Sequence, residues 1–126
     1  KILNSRKISV SNKKGIECYN KNQFEDAKFK FEQDIIFNPK SEISYLYLSK
    51  IFKKQDKTNL EEINLNTVIL LNPNNEEAIY NLAKLKLTSS DFKKSRELNK
   101  KLKLICSKFS IKSDQLKIEI ENLSKK

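Results

Sequence analysis

The side chains able to act as acids, bases, nucleophiles or metal ligands are few in this sequence. Histidine is absent, and the two cysteines, Cys18 and Cys106, lie far apart and form no C-x-x-C pair. Zinc sites built from cysteine and histidine and Cys–His nucleophile pairs are therefore excluded. Each cysteine lies among apolar residues, which favours a buried thiol at both positions. A disulfide between them is the less favoured alternative, because it requires Cα atoms within ~7 Å.

Adjacent carboxylates occur three times, at Glu25–Asp26, Glu61–Glu62 and Glu76–Glu77. Neighbouring residues on a helix point apart, so these pairs favour helix-start and surface roles over general acid–base catalysis. The only glycine is Gly15, and a lone glycine cannot build a glycine-rich phosphate loop. We therefore expect no enzymatic activity, no cofactor and no metal site.

The chain is strongly basic, with a formal net charge of +10 over 126 residues. The excess is spread over both halves, and lysine outnumbers arginine 24 to 2. This pattern favours the codon bias of an AT-rich genome over a dedicated polyanion-binding surface, which usually draws on arginine as well.

Length and composition favour a single helical domain spanning residues 1–126. A sheet or barrel would need more turn glycines than one. No stretch approaches the ~18 consecutive apolar residues of a membrane span, so no transmembrane segment is expected in this chain. The chain starts at Lys1 without a methionine, which indicates that the native N-terminus is missing. A cytoplasmic and an exported location, periplasmic or membrane-associated, are therefore both open.

The helices that position the polar residues are indicated by an internal repeat. The only prolines, Pro39 and Pro73, lie 34 residues apart within the similar segments IIFNPKS and ILLNPNN. Laying the chain on itself at this shift aligns three small residues, Gly15, Ser49 and Ala83. Because Gly15 stands where two helices would come close, a bulky residue there should overpack the contact. Alanine should be neutral or slightly stabilising.

Helix boundaries are also marked in the sequence. Apolar residues recur at spacings of three and four, which predicts helices. Ser41 and Asn75 precede acidic first turns and are predicted N-caps. Asn22-x-x-Glu25 and Thr58-x-x-Glu61 match capping boxes for second helices. Each proline stands where a second helix must stop, because proline cannot continue it.

These repeats, at residues 8–41, 42–75 and 76–109, resemble the tetratricopeptide repeat (TPR) family. Its pattern is W-x2-L-G-x2-Y, A-x3-F, A and P over 34 residues. The first repeat carries Gly15, Cys18, Ala27, Phe31 and Pro39. The second carries Tyr45, Leu48, Ser49, Phe52 and Pro73, and the third carries Leu82, Ala83, Phe92 and Ser95. The chain departs from the pattern at Asp34, Glu61, Glu62 and Lys86, and the two glutamates predict a rotated or displaced helix in the second repeat.

The resemblance implies an all-α, right-handed solenoid of three antiparallel helix pairs. A capping helix is predicted at about residues 113–124, starting on a cap and placing Leu116, Ile120 and Leu123 on one stripe. Residues 1–7 are interpreted as the frayed end of a preceding element.

The resemblance also implies a groove, lined by the first helix of each repeat, that holds a partner's peptide or helix. The matching positions are Asn12, Ile16, Tyr19, Leu46, Tyr47, Lys50, Lys54, Tyr80, Asn81, Lys84 and Thr88. Tyrosine is a common interface anchor, and neighbouring lysines favour an acidic amphipathic partner. The alternative is that these are ordinary half-buried aromatic residues and solvated lysines.

A basic patch is predicted on the last paired helix, at Lys93, Lys94, Arg96, Lys100, Lys101 and Lys103. A solvated outer face explains it most simply, and contact with nucleic acid, an anionic membrane surface or an acidic protein is the alternative. The sequence thus favours a non-enzymatic adaptor or scaffold domain that binds another protein, with nucleic acid the less favoured partner.

Overall fold

The computed structural model describes residues 9–105 and 108–126, and these residues form seven α-helices without a strand. The helices are α1 Val10–Asn20, α2 Phe24–Phe37, α3 Glu42–Lys54, α4 Thr58–Leu71, α5 Glu76–Thr88, α6 Phe92–Leu104 and α7 Ser110–Ser124. The pairs α1–α2, α3–α4 and α5–α6 each pack against one another. None of the helices in the described ranges is long and apolar enough to cross a membrane. The interpretations of residues 1–7 and of Cys106 lie outside the described residues.

The chain divides into two compact units, one ending at Asn72 and one starting at Pro73. The N-terminal unit contains α1–α4, and its core of Ala27, Phe31, Leu48, Ile51 and Phe52 comes from α2 and α3. Half-buried residues of α1, Ile16, Cys18 and Tyr19, pack against this core. The C-terminal unit contains α5–α7, and its buried residues include Ile79, Leu82, Leu98, Leu102, Leu116 and Ile120. Cys18 is a free thiol and is only half-buried beside the N-terminal core, so the expected full burial is not found there.

The turn inside each helix pair repeats with the sequence period. Asn22, Asp56 and Ser90 occupy the same repeat position, and all three have left-handed backbone, at φ 61°, 57° and 63°. The following residue donates its N–H to the preceding helix in each pair: Gln23 to Cys18 O at 2.9 Å, Lys57 to Phe52 O at 2.9 Å, Asp91 to Lys86 O at 2.8 Å. The repeat is therefore a repeat of backbone geometry as well as of residue type.

The predicted caps at the first helices are present. Ser41 Oγ accepts a hydrogen bond from Ser44 N, and Asn75 Oδ1 accepts one from Ala78 N at 2.9 Å. Asn38 and Asn72, the residues before the prolines, have φ of −140° and −145°, outside the helical region. Proline disfavours helical backbone in its predecessor, which explains why α2 and α4 end there.

The predicted capping boxes at the second helices are wrong. Asn22 lies in the left-handed turn, and Gln23 takes the N-cap position of α2. Thr58 is already the first residue of α4, behind an N-cap at Lys57. Neither N-cap residue makes a side-chain capping bond. Asn and Asp tolerate left-handed backbone, so the tight turn uses them there instead of as caps.

Two of the three acidic departures from the TPR pattern, Asp34 and Glu61, lie inside the fold, and Glu62 is half-buried. Asp34 is 3% exposed and Glu61 is 6% exposed, and Glu61 occupies the repeat position of Ala27. Leu65 and Val68 follow it on the buried face of α4, so the predicted rotation or displacement of this helix is not found. Burial raises the pKa of Glu61, and the charge of Lys53 opposes that rise in part.

The last helix begins earlier than predicted. It starts at Ser110, and Ser113, the predicted cap, lies within it. Ser113 Oγ instead donates to Asn99 Oδ1 at 2.8 Å, while Asn99 Nδ2 donates to Ser113 O at 3.0 Å. This polar pair joins α7 to α6, with Leu116 and Ile120 buried beside it and Leu123 left 38% exposed.

Candidate functional site

An aromatic cluster forms on the first-helix side of the N-terminal unit. The ring of Tyr19 in α1 meets the ring of Tyr47 in α3 edge-on, with centroids 5.2 Å apart. Tyr19 also contacts Phe24 of α2 at 5.4 Å, and Tyr47 stacks on the buried ring of Phe31 at 5.1 Å. The four rings thus join three helices and connect the half-buried tyrosines to the core.

Two lysines lie over this aromatic cluster. Lys50 Nζ is 4.8 Å from the centroid of Tyr47, and Lys54 Nζ is 5.5 Å from that of Phe24. Both distances fit cation–π contact, which holds the ammonium groups near the rings. The cluster therefore combines apolar ring surface with two positive charges, as an acidic and apolar partner segment would require.

Three further predicted residues of this unit differ in their burial. Ile16 is half-buried against the core, and Leu46 is also half-buried. Asn12 is fully buried, so its side chain is not presented on the surface. Phe24 was not predicted, although its position directly after the turn that follows Tyr19 was a usable signal.

Asn12 belongs to a polar network centred on Asp34. Ser9 Oγ and Ser44 Oγ each donate to the Asp34 carboxylate at 2.6 Å, and Asn12 Nδ2 donates at 3.5 Å. Burial raises the pKa of Asp34, but hydrogen bonds from Ser44, Ser9, Ser41 and Asn12 outweigh it and hold the pKa below its usual value. The network ties α1 and α3 to α2, and it supports the site by fixing the helices that present the tyrosines.

Two of the predicted residues of the C-terminal unit, Tyr80 and Lys84, are engaged by α7 and by Phe109, its N-cap residue. The Tyr80 ring lies 5.7 Å from Phe109, and Lys112 Nζ lies 5.4 Å from the Tyr80 centroid. Lys84 Nζ forms an ion pair with Glu119 Oε1 at 3.0 Å. The half-buried Asn81 and the exposed Thr88 lie on the same helix. Nothing in the sequence pattern pointed to these contacts, because α7 lies outside the repeats.

The predicted basic patch is mostly exposed, with Lys101 alone half-buried. Part of it borders a cleft of about 230 Å³ between α6 and α7, lined by Arg96, Asn99, Lys100, Lys103, Ser113, Asp114, Lys117, Ile120 and Glu121. Lys103 Nζ pairs with Asp114 at 2.7 Å, and Arg96 donates to Ser124 Oγ at 2.9 Å. The cleft thus adds Lys117, which the sequence analysis did not include, and two acids that reduce its positive charge.

No group of three potential metal-ligating side chains comes together within residues 9–105 and 108–126. The side chains at the site are aromatic rings, ammonium groups and a supporting polar network.

Comparison with solved structures assigns the fold. No family model matches the chain, and no curated protein matches it. Among solved structures, the first TPR of Spaghetti (RPAP3), bound to an HSP90 peptide, matches with a TM-score of 0.78 at 13% identity, over 98% of this chain and 94% of that one. The chain has the fold of a TPR domain. The predicted fold class, an all-α TPR-like helical repeat, is confirmed.

Two more structures share this TPR fold. The type III secretion translocator chaperone SycD of Yersinia enterocolitica matches with a TM-score of 0.78 at 12% identity, over 93% of this chain and 86% of that one. A chain of the CopN–Scc3 complex matches with a TM-score of 0.70 at 12% identity, over 90% of this chain and 66% of that one. SycD has also been solved in complex with a peptide of the translocator YopD.

Proposed function

We propose that this chain is a non-enzymatic protein-binding module that holds a segment of another protein against the aromatic cluster of its N-terminal unit. The observation that carries the proposal is the arrangement of Tyr19, Phe24 and Tyr47, with ammonium groups over two of the rings. Aromatic side chains anchor interfaces because they bring a large contact area at a low entropy cost.

The partner that fits is an acidic, amphipathic segment. Its apolar side chains would lie on the tyrosine rings, and its carboxylates would lie near Lys50 and Lys54. Similar folds support this class of partner, since the RPAP3 domain is bound to the HSP90 peptide SRMEEVD, which has three acidic residues. Tyr80, Asn81 and Lys84 enter the proposal only as secondary contacts, because α7 already lies against this face of α5.

Selection from a random peptide library displayed on phage tests the proposal without a known partner. We expect enriched peptides to combine aromatic or aliphatic residues with Asp and Glu. For a selected synthetic peptide, Tyr19→Ala should weaken binding by about 2 kcal/mol, roughly thirtyfold. The double change Lys50→Gln and Lys54→Gln should weaken it less and act mainly on the association rate.

Thermal melts of each variant separate lost binding from lost folding. The matched comparison is Tyr80→Ala, which removes the same ring from a secondary contact in the C-terminal unit and should weaken binding less than Tyr19→Ala. Normal binding by folded Tyr19→Ala, together with loss of binding on reversing Lys93 and Lys94 to Glu, would contradict the proposal.

The second candidate is a basic module that binds nucleic acid or an anionic membrane surface. It is favoured by the cleft between α6 and α7, where Arg96, Lys100, Lys103 and Lys117 outnumber Asp114 and Glu121. Binding driven by phosphates should weaken steeply and about linearly in the logarithm of salt concentration, whereas tyrosine-anchored peptide binding should depend weakly on salt. Titration of single-stranded RNA and of anionic vesicles at two salt concentrations distinguishes the two candidates.

A further inference from the structure

An apolar stripe runs along the outer face of α4. Leu60, Ile63 and Leu70 are 40%, 59% and 83% exposed. The opposite face of the helix carries the buried residues Leu65 and Val68. The stripe extends from Leu60 to Leu70, about 15 Å along the helix axis, so it is a continuous surface and not one isolated exposed side chain.

The polar residues beside the stripe bond to their own helix. Thr67 Oγ1 donates to Ile63 O at 2.9 Å, and Asn64 Nδ2 donates to Leu60 O at 2.8 Å. Thr67 therefore needs no polar partner outside the helix. The half-buried Thr67 and the exposed Leu60, Ile63 and Leu70 are spaced three, four and three residues apart. This is the spacing of the seam between two helices in a coiled coil. We call Leu60, Ile63, Thr67 and Leu70 the α4 stripe.

The charge distribution singles out the same helix. The chain has 26 lysine and arginine residues, and none of them lies within Thr58–Leu71. Each of the other six helices that the structure describes carries at least one lysine. Two copies of a molecule with a net charge of +10 repel one another over most of their surfaces. A contact between two α4 helices brings together no lysine or arginine of either helix.

We propose that the α4 stripe is a self-association surface, covered by the α4 stripe of a second copy of this chain. A two-fold symmetric contact requires a surface that complements itself, and an uncharged apolar helix face meets this condition. The two α4 helices run antiparallel, with Thr67 near the symmetry axis. Ile63 of each copy then lies opposite Leu70 of the other, which gives two equivalent apolar contacts.

Sedimentation velocity from micromolar to near-millimolar concentration tests the association. We expect a monomer–dimer equilibrium that shifts toward the dimer at higher salt, because salt screens the repulsion between the basic copies. A protein that stays monomeric at every concentration, at both low and high salt, overturns the proposal, even if another protein is found to cover the stripe. Dimers that dissociate as salt is raised overturn it as well, because their contact would be electrostatic.

Charge substitutions test the antiparallel pairing. Ile63→Glu alone and Leu70→Lys alone should each weaken dimerisation by about tenfold or more, since each buries a charge without a partner. An equimolar mixture of the two variants should form heterodimers, because Glu at 63 then faces Lys at 70 and the other contact stays apolar. Failure of the mixture to associate overturns the pairing and with it the proposal.

Ile118→Glu on α7 is the matched control. Ile118 is 61% exposed, similar to Ile63, but it lies outside the α4 stripe. This variant should dimerise as the unmodified chain does, and circular dichroism should show all three variants folded. Equal loss of dimers in Ile118→Glu and Ile63→Glu counts against the α4 stripe.

Discussion

Replacing Gly15 with alanine should destabilise the protein, although the sequence alone favours a neutral or slightly stabilising effect. A Cβ atom at this position would lie 2.8 Å from Cε1 and Cζ of Phe31 and 3.1 Å from Cδ1. Those distances are up to about 0.7 Å shorter than the ~3.5 Å of ordinary carbon contacts. The Phe31 ring is fully buried and stacks on Tyr47 with centroids 5.1 Å apart, so it cannot withdraw without moving its neighbours.

The magnitude follows from two opposing effects. Overpacking a core contact costs about 1–3 kcal/mol, and the better helix propensity of alanine returns up to about 1 kcal/mol. We therefore expect Gly15→Ala to lower the free energy of unfolding by about 1 kcal/mol. In a Phe31→Leu background the ring is absent, and the same substitution should raise the free energy of unfolding by up to about 1 kcal/mol.

Urea unfolding followed by circular dichroism measures the stability of the unmodified chain, Gly15→Ala, Phe31→Leu and the double variant, which form a double-mutant cycle. The decisive quantity is the coupling energy between positions 15 and 31, which we expect to be about 1–2 kcal/mol. Ser49→Ala is the matched control. Ser49 holds the same repeat position and already carries a Cβ atom, so this change adds no atom that could overpack the contact. A coupling below about 0.5 kcal/mol, with Gly15→Ala stabilising in both backgrounds, would refute the close approach.

Three further predictions concern buried acids and the left-handed turn. Glu61→Ala should raise stability by about 1 kcal/mol at neutral pH, because it removes a carboxylate whose pKa is raised by burial. The gain should vanish below pH 4.5, the usual pKa of this group, because the carboxyl is then protonated in both the folded and the unfolded state. The control is Glu32→Ala, on the exposed face of α2. Asp34→Ala should cost about 3 kcal/mol in urea unfolding, because Ser9, Ser44 and Asn12 lose their acceptor. The pKa of Asp34 is lowered on folding, so the stability that its carboxylate contributes is present above its usual pKa of 3.8 and should be lost as pH falls through the lowered value. Acid melts in which Asp34→Asn and the unmodified chain lose stability alike would contradict this role of the carboxylate. Ser90→Gly should raise the free energy of unfolding by about 0.5–1 kcal/mol, because serine at φ 63° is strained, and a decrease would show that the turn is not left-handed in solution.

Much of the helical layout could be predicted from local patterns. The prolines, the period of 34 residues and the capping residues Ser41 and Asn75 act within a few residues of themselves, so their consequences are visible in the sequence. The close helix approach at Gly15 was predicted from its place in the repeat, and the 2.8 Å between a Cβ atom there and the Phe31 ring agrees with it.

Local patterns were ambiguous where one residue type suits two structures. Asn22 fits both an N-cap and a left-handed turn, and Thr58 fits both an N-cap and a first helical residue. The choice depends on how the second helix crosses the first, since that crossing sets the path of the turn. A capping motif in the sequence cannot report on this crossing.

Only the tertiary structure decided how the charged residues are accommodated and which predicted site residues come together. Asp34 departs from the repeat pattern in the sequence, yet in the fold it accepts hydrogen bonds from Ser9 of one helix start and Ser44 of another. Tyr19 and Tyr47 meet, whereas Tyr80 is engaged by Phe109 and Lys112 near the start of α7. The physical reason is that hydrogen bonds and ring contacts depend on distances between segments far apart in the chain. Residue type and spacing specify the helices, but these distances exist only once the helices have packed.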